Sequence, residues 1–307
     1  MSYYVSVKSV LHGIAKTILK LIPAYPSSEY VALEQPSPDL AMKRSQEEFE
    51  DEQAGGFLKF FESVDGFEDV TVATVLDLGC GFGGRTVEFE RSLRAHTIGL
   101  EINQRVGAIA HHFAESQGVG NISFVTGLGN ALPLTSNSVD LILCYDVMEH
   151  VQDPERCMAE CWRVLKPGGR CLLVFPPYFH PTGAHLEGYV SRTPWTHLLF
   201  PSSVLLSAID EILRERGDAY RPQPLRPGDR LYFLNGITIS SFRRMLGRSR
   251  FQVDSMELLP LFSRLNRRYE AWKMRYYAWL FRLLTRVPVA QECFTHRIVA
   301  VLSKPGV

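Results

Sequence analysis

The segment Asp77-Leu78-Gly79-Cys80-Gly81-Phe82-Gly83-Gly84 sets a carboxylate just before a run of glycines. Absent side chains let a ligand approach the backbone amides at a helix N-terminus, so the turn suits a nucleotide-like cofactor. Gly79, Gly81 and Gly84 also satisfy the dinucleotide spacing G-x-G-x-x-G, and Glu101, ending the next apolar run, would serve a dinucleotide ribose equally well. The charge of Asp77 weighs between them. A phosphate-bearing cofactor gains nothing from a carboxylate there, whereas a cofactor carrying an ammonium and a sulfonium does.

A second constellation lies further along. Glu149 and His150 are followed by Tyr178, His180, His185, Tyr189 and His197 within a run rich in aromatics. Imidazoles whose protonation changes near neutral pH, set among aromatic rings, suit a pocket that accepts a proton from an incoming nucleophile. His150, His180, His185 and His197 are therefore the candidate catalytic bases, although a lone loop histidine is more often a structural hydrogen-bonder. The six cysteines show no paired CxxC spacing, and no metal is expected.

The elements that must position these residues begin near Thr71. Apolar runs at Ala73–Leu78, His96–Leu100, Ile122–Val125, Leu141–Tyr145 and Arg170–Phe175 alternate with helical patterns near Thr86–Leu93, Gln104–Gln117 and Pro154–Leu165. This alternation predicts an α/β fold, a doubly wound sheet that binds ligands at the carboxyl ends of its strands. Residues 176–250 read as an irregular insertion with one clear helix near Ser203–Arg216. Strand character returns at Phe251–Leu258 and His296–Leu302, flanking a basic-aromatic helix over about 264–286.

In order along the chain, Val75-Leu76-Asp77-Leu78-Gly79-Cys80-Gly81, Gly99-Leu100-Glu101, Leu132-Pro133-Leu134, Asp146-Val147-Met148-Glu149-His150 and Arg163-Val164-Leu165-Lys166-Pro167-Gly168-Gly169 resemble the motifs of the class I S-adenosylmethionine-dependent methyltransferases, small-molecule type. The resemblance covers roughly residues 71–177. It implies a Rossmann-like, mostly parallel seven-stranded sheet with a reversed final strand and a helical insertion. S-adenosylmethionine is the implied cofactor. Asp77, Gly79, Cys80, Gly81, Glu101, Ile102, Leu128, Gly129, Asn130 and Asp146 would hold it, with Glu101 on the ribose hydroxyls. One departure concerns adenine: where the family often has an acidic residue after the third strand, this chain reads Gly127-Leu128-Gly129-Asn130. The backbone of Leu128 or the Asn130 amide would then serve. A nicotinamide-dependent oxidoreductase and a non-catalytic cofactor-binding protein are the rival readings.

The domains expected are a helical extension (1–70), the cofactor-binding core (71–177), a substrate lid (178–250) and C-terminal strands with their intervening helix (251–307). Lysines and arginines equal aspartates and glutamates at 33 each, but residues 1–150 are acidic and the remainder basic. Basic residues interleaved with core-type aromatics disfavour nucleic acid as partner. A small or lipid-linked acceptor, methylated at oxygen, is favoured. Residues 5–22 carry Val7, Val10, Leu11, Ile14, Ile18 and Leu21 on one helical stripe with lysines opposite. Together with residues 264–286 this helix suggests peripheral membrane contact in an otherwise cytoplasmic protein. An acidic stretch, Glu47 to Glu52, reads as a solvated helix face lying before the core.

Overall fold

The computed structural model describes residues 2–23, 37–65, 72–186, 190–217, 234–261 and 283–306. Helices α1 (Ser2–Leu21), α2 (Pro38–Gln53) and α3 (Phe57–Asp65) precede the sheet. Strands and helices then alternate as β1 (Thr74–Leu78), α4 (Gly84–Leu93), β2 (His96–Glu101), α5 (Gln104–Ser116), β3 (Ile122–Thr126), β4 (Val139–Tyr145), α6 (Pro154–Val164) and β5 (Leu165–Phe175). The chain continues through α7 (Thr196–Leu199), α8 (Ser202–Arg216), α9 (Ile239–Arg248), β6 (Gln252–Pro260), α10 (Pro288–Phe294) and β7 (Thr295–Ser303).

The strands form one seven-stranded sheet in the order β3-β2-β1-β4-β5-β7-β6. The first five are parallel, and β7 runs antiparallel to both β5 and β6. In the doubly wound dinucleotide order the sixth strand lies next to the fifth. Here β7 occupies that place in the reverse direction. Strands β1 and β4 are buried almost throughout because both faces of the sheet are covered by helices. One core, around Ile142, Cys144, Leu173, Phe175 and Phe242, packs against α6 and α9; another, around Leu141, Val174, Phe57 and Phe61, packs under α3 and α4.

Four sequence expectations are corrected. The acidic stretch is not a free solvated face. Ser45, Phe49 and Glu52 of α2 are buried, and the helix lies across α4 and α5 as part of the core. Helix α9 stands inside the supposedly irregular insertion, where Ile239, Phe242, Met245 and Leu246 form its buried stripe and Thr238 supplies a capping box. The lysines of α1 do not face outward alone, since Lys16 bonds Glu211 and Glu215 of α8, and Lys20 bonds Glu215. Lastly, β5 begins at Leu165 rather than Arg170, its first turn anchored where the Gly168 amide donates to the Lys304 carbonyl. Most of the 264–286 helix lies outside the described residues.

The N-terminal helices have different attachments. Ala15 and Leu19 of α1 share a cluster with Leu186, Val190 and the apolar face of α8, whereas α2 lies on α4 and α5, and α3 packs over β1, β4, β5 and β7.

Candidate active site

The glycine turn leaves β1 and enters α4. Gly79 has φ +77°, and a Cβ there would stand 2.3 Å from Val147 Cγ2, so both backbone angle and space demand glycine. At Gly84 a Cβ would stand 2.0 Å from the Ser45 carbonyl oxygen, because the α2 backbone rests directly on the turn. The sequence suggested that the turn's amides face a ligand. In the structure they are largely engaged: Gly79 and Cys80 donate to the Leu100 carbonyl, Gly83 to that of Cys80, and Gly81 to Glu101 Oε2 at 3.2 Å. The Gly84 amide, the first of α4, draws the Glu48 carboxyl down against the larger effect of burial. A carboxylate therefore occupies the helix N-terminus where a pyrophosphate would sit.

Acidic groups converge around this turn. Asp77 is 5% exposed, accepts from Thr86 Oγ1 at 2.7 Å and is raised by burial to about 7. Burial also raises Glu48 and Glu52, against the pull of Arg85. Glu48 Oε2 is buried without a hydrogen-bond partner among the described residues. Arg85, stacked 4.6 Å over the Tyr145 ring, is held charged by Glu48 and Glu52 despite the cost of burial. A pocket with this excess of carboxyls suits a cation better than a phosphate. Glu48, Arg85 and Thr86 escaped the sequence analysis. Glu48 comes from a helix that reads as surface; the other two lie within the first turn of α4.

Glu101 sits at the end of β2 with Oε1 accepting from the Asn103 amide at 2.9 Å. Beside it Ile102 is 67% exposed and Leu128, beyond the adjacent end of β3, is 49% exposed. Two apolar side chains flanking a carboxylate fit a ribose with its planar base. The Leu128–Ala131 turn is tight, and Gly129 packs its backbone near Cys157 of α6. Asn130 contributes its carbonyl to Arg156 Nε at 3.0 Å. Cys80 is buried and its thiol is pushed well up by burial, which leaves it as packing.

The carboxyl ends of β4 and β5 form the other wall. Asp146, with φ +55°, accepts from Arg297 at 3.0 Å through Oδ2, while Oδ1 is buried without a partner among the described residues. Val147 packs on Gly79, so this turn borders the glycine turn directly. Glu149 is buried, neither of its oxygens has a hydrogen-bond partner among the described residues, and burial with Asp146 nearby holds its carboxyl well above the usual range. His150 and His185 each bring Nε2 to 3.9 Å from Glu149 Oε1, with their rings 5.0 Å apart. Burial and the neighbouring His150 push His185 down to about 3. It is neutral at pH 7.

The other two candidate histidines go elsewhere. His180 Nδ1 accepts from the Thr182 amide at 3.2 Å, so its proton lies on Nε2 and is donated to His296 Nδ1 at 3.0 Å. Burial holds both rings neutral. His197 Nε2 donates to the Tyr178 carbonyl at 2.8 Å, leaving Nδ1 buried without a partner among the described residues. Tyr189 lies outside the described residues. Sequence reading missed His296, which looks like an ordinary strand residue, and Asn235, whose Nδ2 donates to the carbonyls of Met148 at 2.6 Å and Val151 at 2.7 Å. A cavity of about 610 Å³ beside Trp162, Phe251 and Lys304 lies at the opposite, amino end of β4. The groups just described do not line it.

Residues 76–173 match the methyltransferase domain family. The chain is 32% identical over 137 residues to the uncharacterized methyltransferase YcgJ of Bacillus subtilis, covering 45% of this chain and 52% of that protein. It is 29% identical over 153 residues to the ubiquinone/menaquinone biosynthesis C-methyltransferase UbiE of Klebsiella pneumoniae, covering 48% and 56%. A 96-residue stretch is 38% identical to the sterol 24-C-methyltransferase ERG6B of Gibberella zeae, covering 31% and 25%. The chain thus spans about half the length, or less, of these curated relatives. Among solved structures, a candidate sarcosine dimethylglycine methyltransferase from Galdieria sulphuraria superposes with a TM-score of 0.50 at 17% identity, over 80% of this chain and 84% of that one, a likeness of fold.

Residues 76–173, which bear the glycine turn, thus match a methyltransferase domain, and the sheet around them has the reversed strand that the resemblance implies. S-adenosylmethionine is the cofactor the acidic turn fits, and the dinucleotide reading is not favoured.

Proposed function

We propose that this chain transfers a methyl group from S-adenosylmethionine to an oxygen of a small or lipid-linked acceptor seated between the carboxyl ends of β4 and β5. S-adenosylmethionine, when bound, supplies a methyl group on a positively charged sulfur. Asp77, Glu48 and Glu101 would hold the donor's cationic and ribose groups, and Ile102 and Leu128 its base. Gly79, Cys80, Gly81, Gly129 and Asn130 shape the backbone around it. Asp146 and Val147 separate the donor from the acceptor.

The observation that carries the acceptor reading is the Glu149–His150–His185 group: Glu149 is buried on the turn that packs against Gly79, and His185 is brought to it from the insertion. A neutral imidazole nitrogen accepts the hydrogen bond of an incoming hydroxyl and aims its oxygen at the methyl group. Oxygen attacks carbon, the carbon–sulfur bond breaks with its electron pair going to sulfur, and the hydroxyl proton leaves toward this group. The quinone and sterol enzymes among the relatives are named for carbon methylation, so their support extends only to an apolar acceptor.

Purified protein with S-adenosylmethionine and a panel of hydroxylated aromatics, polyprenyl phenols and sterols tests the reading. S-adenosylhomocysteine should form with a free hydroxyl and not with the same compound capped as its methyl ether. Equal turnover of the capped compound would overturn oxygen as the target.

A lipid-linked acceptor gains support from α1. Val7, Val10, Ile14 and Leu21 form an exposed apolar stripe, with Ile22 just beyond it, while Lys16 and Lys20 are paired with α8. No helix among the described residues is long and apolar enough to cross a membrane. Vesicle sedimentation should therefore depend on Val10 and Ile14 more than on salt. Retention by a Val10→Glu, Ile14→Glu variant would exclude this contact.

A further inference from the structure

We propose that Glu149, His150 and His185 form a binding site for a divalent transition metal ion at the acceptor end of the fold, with one or more positions open to an oxygen ligand. Sequence reading expected no metal, because the three residues do not announce a ligand spacing: two are adjacent on the turn after β4 and the third lies 35 positions away in the insertion. The fold brings them together.

Three observations support the site. First, the donor set is one carboxylate and two imidazoles, the mixture that suits zinc, manganese or ferrous iron rather than magnesium or calcium. One donor atom from each residue lies within 4.8 Å of the others, and Glu149 Oε1 stands 3.9 Å from both imidazole Nε2 atoms. Around a zinc ion with ligands at about 2.1 Å, tetrahedral donors stand about 3.4 Å apart. Closing the two 3.9 Å separations needs movements of roughly half an ångström, which side-chain torsions of this size accommodate.

Second, Glu149 is 3% exposed and neither oxygen has a hydrogen-bond partner among the described residues. Buried carboxyl oxygens are ordinarily satisfied, and an open pair of which Oε1 faces two imidazoles is what a cation would complete. Third, the site is held from outside. Asn235 donates to the Met148 and Val151 carbonyls, and its own amide donates to the Glu149 carbonyl at 2.8 Å, fixing the turn that carries two of the ligands. His185 is fixed by the hydrogen bond its backbone amide donates to the Thr182 carbonyl and by φ +54°, a backbone angle uncommon for any residue but glycine.

Three protein ligands leave a tetrahedral ion at least one position for an exogenous oxygen. On the methyl-transfer reading, that oxygen is the acceptor hydroxyl, which the cation would orient and make easier to deprotonate. The metal site itself does not depend on that reading, and the two can fail separately.

The test uses tag-free full-length protein, stripped with a chelator and titrated calorimetrically with zinc or manganese chloride, with S-adenosylhomocysteine affinity measured in parallel. Wild type should bind one equivalent at this site. His185→Ala and Glu149→Gln should each weaken that equivalent by at least about 100-fold, beyond the 10–100-fold expected from losing an outer partner. His197→Ala should retain it. Unchanged S-adenosylhomocysteine affinity in the variants shows that they are folded; a variant that loses it is replaced by His150→Gln. No stoichiometric binding to wild type overturns the proposal. So does an equivalent that survives both substitutions and disappears in His112→Ala, which would belong to the exposed His111, His112 and Glu115 group on α5. Metal binding without S-adenosylhomocysteine binding would uphold the site and remove the methyl-transfer role.

Discussion

The donor half and the acceptor half of the cleft are built by different rules. Around Gly79 most hydrogen bonds are local or involve main chain: Gly79 and Cys80 donate to the Leu100 carbonyl, Thr86 donates to Asp77 nine residues away, and Gly81 donates to Glu101. At the ends of β4 and β5 the partners are far apart in sequence, as with His180 and His296, 116 residues apart, or Met148 and Asn235, 87 apart. The first half is shaped by backbone and carboxyl groups, which on the proposed reading hold one unchanging ligand. The second joins side chains of the insertion to those of β7 and of the turn after β4, which is where an acceptor would be specified.

This contrast is tested most severely at Gly79. Gly79→Ala adds a Cβ into Val147 and forces an unfavourable φ, so donor affinity should fall by at least about 100-fold, read by titration with S-adenosylhomocysteine. An unchanged affinity would mean that the turn is not the donor site.

Asp77 gives a smaller effect with a definite sign. Its carboxyl is raised to about 7 in the fold from a usual 3.8, so between these values the native state holds a proton that the unfolded chain has lost. Rising pH then favours the unfolded chain. Relative to Asp77→Asn, the ligand-free wild type should lose stability from about pH 4 to about pH 7 and change no further above it. The difference should be on the order of 1–3 kcal/mol in denaturant titrations. A difference independent of pH would show that Asp77 is ionised in the fold throughout.

The acceptor half should respond differently again. His180→Ala leaves His296 Nδ1 without its donor in a buried position and should cost about 1–3 kcal/mol of stability. Donor affinity should stay within about 3-fold, because the pair touches none of the residues around the glycine turn. A parallel loss of donor binding would erase the distinction between the halves.

The same contrast explains what could be read from the sequence. Strands β1 to β4 and helices α4 to α6 fall within about two residues of their expected bounds, since periodicity and the glycine punctuation are local signals. The reversal of β7 came from the family resemblance rather than from any residue in it. Helix α2 was misread because five acidic residues in a short run suggest solvent, while the buried Glu48 and Glu52 answer to Arg85 and to the amides of Gly84, Phe57 and Leu58. Helix α9 was missed among polar neighbours although Ile239, Phe242 and Leu246 keep helical spacing. Of four candidate histidines, the fold joins only His150 and His185 to Glu149. Nothing in the spacing of His180 foretells His296.

The contact between Gly84 and the Ser45 carbonyl meets main chain with main chain, leaving no side chain to trim or enlarge in compensation. A library of random substitutions would therefore find α2 permissive along its exposed Lys43 and Glu50 side but α4 closed at Gly84, where even one methyl group displaces the whole of α2. That displacement would carry Glu48 away with it. The rarest tolerated changes in this chain should then lie at a position with no functional group of its own.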